Sequence, residues 1–242
     1  MNNPDFVTQE PLSPVDYAGH TGQYKRLRQR GAIGWSTPDE YRPMLGYVLP
    51  VMRSAVDAPR VLEIGSGAGN FSILLQQAGY DVCGLEISDV AVEWAKENAL
   101  AAGVATRFFV GNVTQDLAQM GPFDQAIDGH CLHCIIGDDR ARCLNQVWQA
   151  LTDDGTLVVL TMCGEVLGAG LLRQFDPKTK QLKANGRPIR YIGSAEDICA
   201  EIQCSGFEIE QVLFYPRANE DDQDDLVVVA KKRPSLATSH KD

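Results

Sequence analysis

The 242-residue chain has no run of about 18 apolar residues, so no membrane-spanning helix and no membrane partner are expected. Its first ten residues, Met1 to Glu10, lack the basic and then apolar layout of a secretory leader. Basic charge is short: 22 Lys and Arg stand against 32 Asp and Glu, a formal net charge of −10. Phosphate backbones are held by basic surfaces, so nucleic acid is not expected as a partner. Heptads, internal repeats and low-complexity blocks are missing, which argues against a scaffold. The seven cysteines are odd in number and scattered, which argues against a disulfide framework and for reduced thiols in a cytoplasmic compartment. The 44% apolar content is ample for the packed core of one domain with an elaboration.

What the chain does hold is an apolar run, Val61 to Ile64, leading into Gly65, Gly67 and Gly69 at alternate positions and then into helical periodicity from Phe71 to Ala78. This reads as strand, tight turn and helix. Alternating glycines let backbone approach a ligand, and the unpaired N–H groups of the following helix face the same place. The dinucleotide fingerprint G-x-G-x-x-G opens the same kind of unit, but Asn70 stands where its third glycine belongs. Glu63 also points away from a dinucleotide, because a carboxylate there repels a pyrophosphate and can anchor an ammonium group. Glu86, at the end of the next strand, is placed to accept from ribose hydroxyls.

This set resembles the class I S-adenosylmethionine-dependent methyltransferases, whose first motif has the form E/D-x-G-x-G-x-G and is matched at every position from Glu63 to Gly69. The resemblance covers residues 17 to 232 and implies S-adenosylmethionine as cofactor. By motif, it puts Glu63, Gly65, Gly67 and Gly69 on the amino-acid part, with Asn70 beside them. It puts Glu86, followed by Ile87, on the ribose, Asn112 with Val113 on the adenine edge, and Asp128 on the wall nearest the sulfonium. Glu86 and Asn112 each stand where the family more often has Asp.

The remaining chain alternates strands with helices: strands over 80–87, 105–110, 123–128 and 156–162, helices over 90–102 and 139–151. That rhythm gives a parallel sheet with helices on both faces and a site at the carboxyl ends of the strands. After a helix from Ser194, strands over 207–214 and 226–231 pair antiparallel, an ending that also resembles the methyltransferases. The acidic run joining them, 220–225, reads as solvated. The expected fold is therefore α/β and Rossmann-like: a mostly parallel seven-stranded sheet with a C-terminal antiparallel strand. The expected division is a flexible arm over 1–16, a single domain over 17–232, and a disordered tail over 233–242.

Two segments read as lids. In the first, 17–56, Tyr24 sits in a basic stretch; Trp35 and Tyr41 flank a helix start signalled by Ser36 or Thr37, Pro38, Asp39 and Glu40, with the helix running on to Val56. The second, 163–192, has no clean period and reads as an insertion, with a small hairpin as one form. Residues 166–192 carry a net charge of +5, leaving −15 for the remainder. Such a reversal attracts an anionic group, with Arg173, Arg187 and Arg190 as the residues to hold it.

The stretch Asp128-Gly-His130-Cys-Leu-His133-Cys134 follows the fourth strand. His130 and His133 are the general-base candidates for an oxygen, nitrogen or sulfur nucleophile. No metal is expected, because Cys131 and Cys134 have no second ligand pair elsewhere. The expected activity is methyl transfer to a small-molecule acceptor, with an anionic one favoured by the basic insertion. An NAD(P)-dependent dehydrogenase and a non-catalytic cofactor-binding module are the alternatives, and nothing in the pattern sets an oligomeric state.

Overall fold

The structure is a computed structural model that describes residues 15, 17, 19–52 and 57–233. Except for Val15 and Arg233, the expected arm and tail lie outside the described residues. Among those described, no helix is long and apolar enough to cross a membrane.

Two helices come first, α1 (Gly19–Gln29) and α2 (Pro38–Val48). The Thr37 side chain accepts from the Glu40 amide while the Glu40 carboxylate accepts from the Thr37 amide, a capping box with Pro38 in the first turn. α2 ends at Val48, short of the expected course, because Pro50 has no N–H with which to continue the ladder; residues 53–56 of that expectation lie outside the described residues.

The alternating unit follows as β1 (Arg60–Ile64), α3 (Asn70–Gln77), β2 (Asp81–Glu86), α4 (Asp89–Ala101), β3 (Arg107–Val110), β4 (Phe123–Gly129), α5 (Asp139–Ala150) and β5 (Leu151–Cys163). Next come α6 (Ala169–Leu172), β6 (Phe175–Asp176), β7 (Gln181–Ala184), β8 (Arg187–Tyr191), α7 (Ala195–Cys204), β9 (Phe207–Tyr215) and β10 (Asp224–Lys232). The seven-stranded sheet runs β3-β2-β1-β4-β5-β10-β9. Its first five strands are parallel, and β10 lies antiparallel between β5 and β9. β5 starts earlier than expected, at Leu151, because its pairing jumps from Phe123↔Leu151 to Gln125↔Thr156 and lets residues 152–155 bulge out.

Side chains one residue apart in a strand face opposite sides, and the core divides accordingly. Leu62, Leu157 and Val228 pack with Leu144 and Val147 of α5 and Ile198 and Ile202 of α7. Val61, Ile127, Leu160 and Val227 pack instead with Val48 of α2 and Phe71 and Leu75 of α3. Helices therefore cover both faces. Phe71 is 1% exposed, and its truncation to Ala would cost about 3–5 kcal/mol.

The 163–192 insertion is a three-stranded antiparallel sheet, β6-β7-β8, larger than the expected hairpin. Leu182, Val166 and Ile192 form its own small core, against Met162, Leu171 and Phe175. The acidic run also departs from expectation. Asp224 is buried and accepts from the Arg217 amide and guanidinium at 2.8–3.1 Å, while Asp225 is half-buried and turned to His130. The carboxyl ends of β1, β2 and β4 meet where the strand order reverses, the place at which such sheets bind ligands.

Candidate functional site

A cavity of about 350 Å³ opens at that point. Its floor is the turn after β1, where Gly65 and Gly67 take φ of 67° and 54°, in the left-handed region that side chains disfavour. A Cβ on Gly67 would stand 2.6 Å from the Tyr24 hydroxyl, so the glycine also lets α1 close over the turn. The Gly67 amide donates to Glu86 Oε2 at 3.0 Å, and the Ser88 amide donates to Glu86 Oε1 at 2.9 Å. Glu86 and Ile87 border the cavity, as do Asn112 and Val113 from the loop after β3.

The N-terminal segment supplies the roof. Tyr24, Trp35 and Tyr41 all line the cavity, with Trp35 edge-on to Tyr24 at 5.6 Å between ring centroids. Asn70, the residue that breaks the dinucleotide fingerprint, donates its side-chain amide to the carbonyls of Ile33 at 2.9 Å and Ser36 at 2.8 Å. Its position is on the cavity wall, but its donors are spent on holding this roof to the start of α3.

Several expected site residues do not border the cavity. Gly69 faces the packing instead: a Cβ there would meet Phe108 and Ala95, the close helix approach assigned to a third glycine in such turns. Glu63 is 2% exposed, one layer behind the wall, where the Ser72 hydroxyl donates to it. Asp128 is 1% exposed; its Oδ1 accepts from the amides of Cys131 at 2.6 Å and Leu132 at 3.0 Å and so shapes the turn after β4. Gly129 lines the cavity in its place. Of the three arginines, only Arg190 of β8 reaches the cavity; Arg173 and Arg187 lie elsewhere on the insertion. Lys180 and Lys183 pair with Asp197 and Asp176.

The electrostatics are unusual for a pocket lined by tyrosines. Burial pushes the Glu63 carboxyl up to about 8, against the opposing Ser72 hydrogen bonds and with help from Asp128 and Glu86. Burial likewise pushes Asp128 up to about 6 and raises Glu86, each opposed by backbone N–H donors. Asp128 Oδ2 and Ser66 Oγ are buried with no hydrogen-bond partner among the described residues. These features cluster around the glycine turn and the end of β4.

Both expected histidines border the cavity. His133 is 3% exposed, with Nδ1 3.4 Å from Thr161 Oγ1, and burial holds its pKa well below the usual imidazole range, so it is neutral. His130 stands edge-on to it, ring centroids 5.4 Å apart. Sequence reasoning missed Tyr17, His20, Thr114, Met44 and Met162 on the wall, none of which sits in a patterned position. Cys131 and Cys134, read as free thiols, also line it; Cys134 Sγ accepts from Arg190 Nη1 at 3.1 Å.

The sequence profile of the family described as "Methyltransferase domain" matches residues 61–155, from β1 into β5. An uncharacterized methyltransferase of Staphylococcus carnosus is 30% identical over 101 residues, 42% of this chain and 46% of that protein. A 23S rRNA (uracil(747)-C(5))-methyltransferase of Pyrococcus abyssi is 31% identical over 93 residues, 37% of this chain and 23% of that protein. The chain thus spans less than half the length of either curated relative. Among solved structures, the 1,6-didemethyltoxoflavin-N1-methyltransferase of Burkholderia thailandensis, with 1,6-didemethyltoxoflavin and S-adenosylhomocysteine bound, shares the fold at a TM-score of 0.68 and 20% identity, covering 93% of each chain. The profile lies on the strands that build the cavity: residues 61–155 match a methyltransferase domain, and the seven-stranded sheet closing on its antiparallel strand has the fold of an S-adenosylmethionine-type methyltransferase.

Proposed function

We propose that the protein transfers a methyl group from S-adenosylmethionine to an oxygen, nitrogen or sulfur nucleophile of a small, anionic acceptor. The observation that carries this reading is one cavity holding both a cofactor-type floor and a separate polar wall. Gly65, Gly67, Glu86 and Ile87 line the floor; Arg190, His130 and His133 line the wall.

The residues present fit the cofactor. Three buried carboxyls, Glu63, Glu86 and Asp128, ionise more readily beside a cation, and S-adenosylmethionine carries ammonium and sulfonium charges. The unpartnered Asp128 Oδ2 and Ser66 Oγ offer an acceptor and a hydroxyl at the same place. Glu86 would take the ribose hydroxyls, Asn112 and Val113 the adenine edge, and the amides of the glycine turn the amino-acid part, with Glu63 acting through its charge from behind. Held there, S-adenosylmethionine would supply an electrophilic methyl carbon activated by its sulfonium charge. The chain's part is alignment and exclusion of water under the Trp35 and Tyr41 roof.

A small acceptor is favoured by the enclosure of the wall beneath that roof and by the net charge of −10, which disfavours nucleic acid. Arg190 is the basic side chain that the insertion contributes to the cavity, and it matches a carboxylate or phosphate. The test is release of S-adenosylhomocysteine on incubation with S-adenosylmethionine and panels of small carboxylates, small phosphates, neutral analogues and RNA oligonucleotides. Turnover confined to small anions supports the reading; turnover with RNA alone would replace it.

A further inference from the structure

The two histidines after β4 are not equivalent. His133 is enclosed and neutral, whereas the His130 side chain is 23% exposed on the cavity wall. The His130 backbone has φ of 71°, a left-handed conformation that costs a residue with a Cβ about 1–2 kcal/mol. Its amide donates to the Leu160 carbonyl at 2.9 Å, which fixes that conformation against β5. Strain of this kind persists where the surrounding structure imposes a side-chain direction.

The direction imposed leads to Asp225. His130 Nε2 lies 3.3 Å from Asp225 Oδ1, and Asp225 stands in register with Met162 of β5, which itself borders the cavity. Its neighbour Asp224 points to the other side of the strand and is occupied by Arg217. Among the described residues, the buried His130 Nε2 has no formed hydrogen bond, and the Asp225 carboxylate 3.3 Å away is the charged group it approaches. The other titratable groups around His130 are Asp128, which precedes it on β4, and His133; Arg190 borders the same cavity.

We propose that Asp225 is a positioning residue for His130. Its carboxylate, 3.3 Å from the otherwise unpartnered Nε2, favours the tautomer with the proton on Nε2, so that Nδ1 keeps the lone pair and takes the proton of the acceptor's nucleophile. The imidazolium so formed has its charge offset by the carboxylate behind it, and the proton leaves to solvent from the exposed edge of the ring. For its role in turnover the inference rests on the methyl-transfer reading, and it specifies the acceptor further: the nucleophile is a hydroxyl or N–H that carries a proton at neutral pH.

The test needs no acceptor. The chain has four histidines, so long-range proton–nitrogen spectra of the imidazoles are simple, and His130→Asn, a residue that tolerates the left-handed backbone, identifies the His130 signals. In alkaline buffer, wild-type His130 is expected to carry its proton on Nε2. Asp225→Ala should bring its nitrogen shifts to the average of two tautomers, while Asp225→Asn, which keeps an acceptor oxygen, should retain the wild-type pattern. Unchanged His133 signals would show that the surrounding fold is intact. A wild-type proton on Nδ1, or an Asp225→Ala spectrum identical to wild type, would overturn the proposal. If Asp225→Ala fails to fold, the wild-type tautomer decides alone. S-adenosylhomocysteine titrated into the same wild-type sample separates the two claims: no binding there removes the methyl-transfer reading and leaves the tautomer result standing.

Discussion

The Gly67 amide donates to Glu86 Oε2, so the turn after β1 and the end of β2 form one hydrogen-bonded unit. Glu86→Ala would leave the buried amides of Gly67 and Ser88 without their acceptor, at about 1–3 kcal/mol each, and would remove the proposed ribose partner. Calorimetry should show S-adenosylhomocysteine affinity down at least about tenfold, with a lowered melting temperature.

Asn70 is the clasp of the roof, through its two bonds to Ile33 and Ser36. Asn70→Ala should speed amide hydrogen exchange in residues 31–37, while exchange in β1 and β4 stays slow. Cofactor affinity should fall by a smaller factor than in Glu86→Ala, because the floor is untouched.

Glu63 makes stability depend on pH. Its carboxyl is raised in the folded chain to about 8, above an unfolded value near 4.5, so the fold binds a proton that the unfolded chain has released. The stability it contributes is full below about 4.5 and is lost as pH rises through about 8. Glu63→Gln keeps the neutral shape, so it should gain on wild type across that window, by roughly 5 kcal/mol at its top. Urea unfolding of both proteins at several pH values reads the difference; parallel curves would contradict the buried carboxyl. S-adenosylmethionine, being cationic, should bind wild type more tightly as pH rises through the same range.

Arg190 and the rest of the insertion separate cleanly. Arg190→Gln should raise KM for an anionic acceptor about tenfold or more and leave cofactor affinity unchanged. Arg173→Gln and Arg187→Gln, away from the cavity, should leave KM within about twofold. Initial-rate kinetics with the best acceptor from the panel distinguishes the three.

Much of this was legible because it is local. The glycine turn, the capping boxes at Thr37 and Ser194, and the strand–helix rhythm each follow from neighbours in sequence. What stayed hidden depends on distant partners. Nothing in a run of six acidic and amide residues shows that Asp224 will meet Arg217 and Asp225 will meet His130, since the antiparallel register of β10 on β5 decides it. The strands of the insertion are two to five residues long and half-buried, too short for a period to show. Glu63 and Asp128 stand in the expected places, yet the depth of the sheet puts them behind the cavity wall, with Ser66 and Gly129 in front.

The central claim is that the cavity holds S-adenosylmethionine. Calorimetric titration of the full chain with S-adenosylmethionine, S-adenosylhomocysteine and NAD, alongside Glu86→Ala, tests it most directly. The account predicts saturable binding of both sulfur nucleosides, weakened in the variant, and none of NAD. Binding of NAD with no affinity for either sulfur nucleoside would contradict it.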